Sequence, residues 1–313
     1  MFKYTRHLIV TVIALLGVAI IFSAGWAFLY FHSFATKDFT LGANFSKSYA
    51  QYLGLDWQKT YLAMLDDLKI KNVRLSAPWN DIEPSQGKWN FTDLDWQIKQ
   101  ANVLGVNVVL VIGRRTPHWP ECHDPSWIKS LAEPLVVDQQ MEMLTAVVNR
   151  YKNNSAMKIW QVENEPLVDV FGECPSSDIN LLKKEISLVK TLDPSRPVLV
   201  TDSGELSWWV AAANVGDLFG TTLYRATYNG LTGYFYYNLS PIFYNLKARL
   251  VGREPSNVLI AELQAEPWSP SGVLDVALSE QFKTMDAKKL VNYVDYAKRT
   301  GFGGAYLWGA EWW

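Results

Sequence analysis

Eight short apolar runs, alternating along the chain with segments of helical periodicity, constrain this chain more than any other feature. The runs fall at 40–45, 72–76, 107–112, 159–163, 198–201, 218–224, 258–261 and 304–308. The clearest read as continuous Val, Ile and Leu, the pattern of strands buried on both faces of a parallel sheet. Between them the spacing turns amphipathic. Asp56 stands where a helix N-cap belongs, with Trp57, Tyr61, Met64, Leu65 and Leu68 along one face. Leu94, Ile98 and Ala101 mark a second helix, others lie around 141–151 and end near 192, and Phe282, Met285, Leu290, Val294 and Ala297 mark the last. Such alternation over 39–313 points to one α/β domain closed as a (β/α)8, or TIM, barrel. The sequence stops at Trp313, soon after the eighth run, so an eighth helix is not expected.

Two of the runs end in a carboxylate. One reads Ile159-Trp160-Gln161-Val162-Glu163-Asn164-Glu165-Pro166, the other Val258-Leu259-Ile260-Ala261-Glu262. In a barrel of this kind the C-terminal strand ends form the active-site face. Two carboxyls converging there are what glycosidic bond cleavage needs, one as proton donor and one as nucleophile or base. Arg74, between Val73 and Leu75 in the second run, suits the task of holding one of them ionised, because a guanidinium stabilises and orients a carboxylate. Glu163 lies two residues before Glu165 and by strand alternation shares its face, either supporting Glu165 or facing the barrel interior. Glu266, just before Pro267, competes with Glu262, but strand position favours Glu262.

Asn164-Glu165-Pro166 at one strand end and a lone Glu262 at a later one resemble the β-retaining glycoside hydrolases of clan A. The stretch from Ala77-Pro78-Trp79-Asn80 to Gly87-Lys88-Trp89-Asn90-Phe91 resembles the β-galactosidases and β-xylosidases of that clan as well as the cellulase-type family 5. The resemblance implies Glu165 as acid/base, Glu262 as nucleophile, Asn164 on the sugar 2-hydroxyl and Tyr224 as hydrogen-bond donor to the nucleophile. It implies Trp308 as the floor of the subsite for the cleaved sugar, against a plain core role. Trp79, and His118 with Trp119, are further subsite candidates, Trp79 equally a loop plug; Glu311 and Trp312 are candidates for sugar hydroxyls. Family 5 carries His two residues before the Tyr, where this chain has Thr222, a departure that leaves the clan intact. The function implied is a retaining β-glycosidase acting by double displacement on extracellular or cell-envelope carbohydrate, with no metal or nucleotide cofactor. A transglycosylase would share the same carboxylates, and a non-catalytic glycan-binding barrel is the third reading.

Composition sets the remaining bounds. With 49% hydrophobic residues, 19% charged and a net charge of −2, the chain is globular and lacks the basic character of a nucleic-acid binder. Residues 8–31 carry no charged side chain and follow Lys3 and Arg6. That run is long enough to span a bilayer, so the expected layout is a cytoplasmic 1–7, a signal anchor or cleaved signal at 8–31, a linker at 32–38 and a catalytic domain at 39–313 outside the cytoplasm. The membrane is thus an expected partner through the N-terminal helix. The two cysteines, Cys122 and Cys174, lack CxxC spacing, which argues against a metal or redox motif. Both fall in loops after neighbouring strands, where a disulfide and two unlinked thiols both fit.

Overall fold

The computed structural model describes residues 2–31, 34 and 38–313. Six strands come first: β1 (Thr40–Asn44), β2 (Asn72–Ser76), β3 (Asn107–Ile112), β4 (Met157–Val162), β5 (Val198–Asp202) and β6 (Leu218–Leu223). An antiparallel hairpin follows, β7 (Ala226–Asn229) and β8 (Gly233–Tyr236), and then β9 (Val258–Gln264) and β10 (Gly304–Trp308). All except the hairpin pair in parallel, and β10 returns to β1 to close an eight-stranded barrel. Helices such as Thr92–Val103, Glu133–Tyr151, Ile179–Leu192, Pro241–Leu250 and Ala287–Arg299 connect consecutive strands.

Local sequence explains the elements. Asp56 caps Trp57–Leu62 by accepting from the Lys59 N–H, and Tyr61, Met64 and Leu65 are buried, whereas Leu68 is exposed. Asp286 caps Ala287–Arg299 in the same way, which leaves Phe282 and Met285 before that helix rather than on it. The inserted hairpin was not expected from the apolar runs, although Asn229-Gly230 between two aromatic stretches is a hairpin signal. After β10 the chain forms a 3-10 turn, Ala310–Trp312.

Alternation divides the barrel strands between two cores. Val73, Val108, Leu110, Trp160, Val198, Val200 and Ile260 belong to the large core that includes buried residues of the surrounding helices, such as Leu65, Ile98 and Leu144. Val109, Leu199 and Tyr306 form a separate small cluster with Ile159, Leu218 and Leu259 against it, which places them in the barrel interior. Further along the same inward rows, toward the strand C-termini, apolar residues give way to Asn44, Arg74, Gln161, Thr201, Thr222 and Glu262. The interior is therefore apolar at one end and polar at the other, and the polar end is where chemistry can be housed.

The membrane expectation is corrected. Residues Phe2–Phe31 form a helix, but among the described residues no helix is long and apolar enough to cross a membrane. The span at 8–31, the membrane as partner and the placement of the domain across a bilayer are withdrawn. The linker at 32–38 lies, except for 34 and 38, outside the described residues.

Trp160 tests the barrel-to-helix packing. It is fully buried, and its indole N–H donates to Asp193 at 2.9 Å. Trp160→Ala is expected to cost about 3–5 kcal/mol, because it leaves a cavity and removes one of the donors that Asp193 shares with Arg196 and Ser195. Urea unfolding monitored by far-UV circular dichroism measures it; a loss under about 1 kcal/mol would contradict this packing.

Candidate active site

The barrel's polar end is organised around one guanidinium. Arg74 on β2 is buried, and alternation sends it inward from between Val73 and Leu75. Its Nε donates to Gln161 (2.8 Å), Nη1 to Asn44 (2.8 Å) and Glu262 (3.0 Å), and Nη2 to Asn164 (2.7 Å). Four strand ends are thereby tied to one charge. Asn44 extends the tie through its amide, which donates to the carbonyls of Ala261 (3.0 Å) and Leu307 (3.2 Å) on β9 and β10.

Glu262 does not close its strand as expected, since β9 continues to Gln264. The pairing of β9 with β6 shifts register between Ile260 and Glu262, and a shift of this kind re-aims side chains beside a site. Glu262 accepts from Arg74 through Oε1 and from the Tyr224 hydroxyl through Oε2 at 2.9 Å. Burial, with the Glu262 charge next, pushes the Tyr224 phenol well above its usual range, so it stays a donor.

Glu165 is held differently. Its N–H donates to Thr201 Oγ1 (3.0 Å), and its Oε1 accepts from Thr222 Oγ1 (3.3 Å). Thr222, at the position where family 5 carries His, thus reaches Glu165. Burial first, and the charge of Glu262 second, raise the Glu165 carboxyl well above the ordinary range. The two carboxyl groups have different surroundings: one is clamped by a cation and a phenol, and the other is raised by burial and by its negative neighbour.

Glu163 departs from the alternation argument. Both Glu163 (φ +59°) and Glu165 (φ +44°) adopt left-handed backbone, so they do not share a face. Glu163 turns away and accepts the N–H groups of Arg114 (2.8 Å) and Arg115 (2.5 Å) and the Gln140 amide (3.0 Å). A Cβ at Gly113 would lie 2.2 Å from Glu163 Oε1, and φ there is +132°, so glycine is required for this approach. Burial raises the Glu163 carboxyl to about 7, against the lowering by those backbone donors. Glu163 ties the loop after β3 to the end of β4.

A cavity of about 550 Å³ opens at this end, lined by Glu165 and Glu262 together with His118, Trp119, Asn164, Tyr224, Trp268 and Trp308. The His118 ring lies 4.3 Å from that of Trp308, and burial holds its pKa down to about 3, so it is neutral. Trp79 is elsewhere: fully buried, it donates to Glu83 (2.9 Å) and packs edge-on to Trp127, which makes it the plug of the loop after β2. Glu311 is buried outside the cavity and accepts the Ser46 N–H, joining the C-terminal turn to the loop after β1. Sequence reasoning missed Asn44, Gln161 and Thr201, although each is a polar residue in or at the end of an apolar run. It also missed Glu121 and Glu205, which line the cavity from loops that carry no strand signal.

The loop carrying His118, Trp119 and Glu121 is fastened to the loop after β4 by a Cys122–Cys174 disulfide, with a Cα separation of 5.2 Å. Chain entropy for a closed loop of this length gives a stabilisation of about 4 kcal/mol. The double substitution Cys122→Ala, Cys174→Ala should lower unfolding stability toward that amount and open 117–124 to limited proteolysis. An unchanged urea midpoint would show that the bridge contributes nothing.

Comparison with known proteins agrees with this geometry. The family model described as glycosyl hydrolases family 2, TIM barrel domain, matches residues 96–229, and one described as beta-galactosidase matches 51–130. The beta-galactosidase BgaA of Clostridium cellulovorans is 25% identical over 204 residues, 55% of this chain and 29% of that protein, so the chain spans less than a third of that relative. Among solved structures, the cold-adapted beta-galactosidase of Rahnella sp. R3 has a TM-score of 0.62 at 13% identity, covering 89% of this chain and 52% of that one. Xylanase 10B of Thermotoga petrophila, solved with xylobiose, has a TM-score of 0.57 at 17% identity, covering 87% and 82%. GH5_18 of Streptomyces cattleya, solved with GlcNAc, has a TM-score of 0.61 at 14% identity, covering 88% and 71%. With the closed barrel, these matches make the chain a glycoside-hydrolase-like (β/α)8 barrel, similar in sequence to the family 2 barrel and beta-galactosidase models over 51–229 and in fold to the solved structures above.

Proposed function

We propose that this barrel hydrolyses β-glycosidic bonds with retention of configuration. The observation that carries the reading is the asymmetry of the carboxylate pair. Glu262 receives Arg74 and Tyr224, whereas Glu165 receives a single threonine hydroxyl and sits next to the Glu262 charge. Paired carboxyls whose surroundings differ in this sense divide into nucleophile and acid. In the first step Glu262 attacks the anomeric carbon, the bond to the leaving oxygen breaks, and Glu165 transfers its proton to that oxygen. In the second, Glu165 takes a proton from water, the water oxygen attacks the anomeric carbon, and Glu262 is released. Asn164 accepts from Arg74 through its Oδ1 and donates one amide N–H to Glu121 (3.3 Å), and the 2-hydroxyl of the sugar is the partner assigned here to the other.

Transglycosylation is a second reading, favoured by the aromatic rim. Trp119 is 68% exposed and Trp268 41% exposed at the cavity edge, surfaces on which an acceptor sugar can pack in place of water. Incubation with an aryl glycoside and a free sugar separates the two by the ratio of transfer product to hydrolysis product.

Role exchange is tested by rescue. Glu262→Ala should abolish turnover, with azide or formate restoring an inverted product. Glu165→Ala should slow poor leaving groups by about 10²–10⁴-fold and spare activated aryl glycosides, with azide giving a retained product. The reverse pattern would exchange the two roles, and sugar binding without turnover in the wild type would leave a glycan-binding barrel. In a sugar complex the two carboxyl groups should lie about 5–5.5 Å apart; about 9 Å would mean inversion.

The pH profile carries its own sign. A carboxyl raised by burial and by a neighbouring negative charge is protonated, and competent as an acid, below its shifted pKa. kcat/KM for poor leaving groups should therefore fall as pH rises through that pKa. In Glu165→Ala, the alkaline limb should vanish for activated substrates; an unchanged limb would assign it to another group.

A further inference from the structure

Five carboxylates line the cavity, Glu121, Glu165, Glu205, Glu262 and Glu266, while among the described residues no lysine or arginine lines it. The double displacement uses two of them. Burial penalises charge on the remaining three. Two have a cation behind the wall: Arg115 lies 3.7 Å from Glu121, and Lys247, hydrogen-bonded to the Gly204 carbonyl, acts on Glu205. Among the described residues no cation offsets the charge of Glu266. Its neighbours are Tyr49, Trp308 and the negative Glu262, and its Oε2 has no hydrogen-bond partner. The turn after β10 presses on it, since a Cβ at Gly309 (φ +98°) would lie 2.2 Å from the Glu266 Cβ.

We propose that the cavity selects a sugar bearing a free, protonated amine over the matching neutral sugar and rejects the matching uronic acid, with Glu266 as the counter-ion of the ammonium group. The inference rests on the cavity being a sugar site. An ammonium brings three N–H donors and a full charge to a wall of acceptors, and the faces of Trp268 and Trp308 favour a cation as well. A uronate would add a sixth carboxylate to a wall that offers no cation.

Calorimetric titration of the full chain tests this with glucosamine, glucose and glucuronic acid, and in parallel with galactosamine, galactose and galacturonic acid, at about pH 7, where most of the amine is protonated and the Glu266 carboxyl, raised to about 7, is half ionised. In at least one series the amino sugar should bind about tenfold tighter than the neutral one, with no binding of the uronic acid. Glu266→Gln, its fold checked by thermal unfolding, should bring the preference close to one. Equal binding of amino and neutral sugars in both series, binding of a uronic acid as tight as that of its neutral partner, or no binding in either series would overturn the inference. So would a preference that survives Glu266→Gln. Turnover of aryl glycosides is scored separately: turnover without amine preference sinks this inference alone, and amine preference without turnover sinks the glycosidase reading alone.

Discussion

The buried Arg74 guanidinium is the interaction on which the polar end of this barrel depends. Taking a charge out of water is costly unless a partner and enough acceptors meet it. Here Glu262 supplies the partner, and the carbonyl oxygens of Asn44, Gln161 and Asn164 supply the acceptors. These groups come from β1, β2, β9 and both sides of the β4 terminus. The planar fork of an arginine meets them in fixed directions, which a lysine would not do. The same ion pair crosses the barrel interior from β2 to β9 and orients Glu262, so stability and the proposed chemistry share one set of atoms.

Around that centre, the backbone leaves regular geometry where a side chain must be aimed. Left-handed residues at Glu163 and Glu165 send two near neighbours in sequence to different jobs, one to clamp a loop and one to face the cavity. A register shift in β9 brings Glu262 round to Arg74 and Tyr224. The loop after β3, which supplies His118, Trp119 and Glu121, is joined to the chain after β4 by the Glu163 clamp and the Cys122–Cys174 bridge. Irregular backbone of this kind costs free energy, and it persists because the surrounding hydrogen bonds over-determine it.

The electrostatics of the cavity follow from burial as much as from charge. Glu121, Glu163, Glu205 and Glu266 are each raised to about 7, with desolvation the first cause in every case. Their positions separate them: Glu163 is satisfied by backbone donors outside the cavity, while Glu121, Glu205 and Glu266 line it. A wall of acceptors beside aromatic faces is suited to a ligand rich in hydroxyl or ammonium donors.

Much of this was legible in the sequence. The eight apolar runs determined the barrel, because strands buried on both faces require continuous Val, Ile and Leu, and β2, β3 and β10 begin and end where the runs do. Glu165, Glu262 and Arg74 stood out because a charged residue inside or closing such a run has to be accounted for, whereas Tyr224 came from the resemblance to the clan. Other matters were decided only by the tertiary structure. Trp79 became a buried plug and Glu311 a brace for the loop after β1, because an aromatic or acidic residue in a loop carries no period that says which way it faces. The divergence of Glu163 from Glu165 rests on two left-handed residues that alternation cannot anticipate. Glu121 and Glu205 reach the cavity through loops whose course depends on the disulfide, the Glu163 clamp and the packing of neighbouring loops. Periodicity reports which face of a strand or helix is buried; where a loop delivers its side chains depends on contacts distant in sequence, and those exist only in the folded chain.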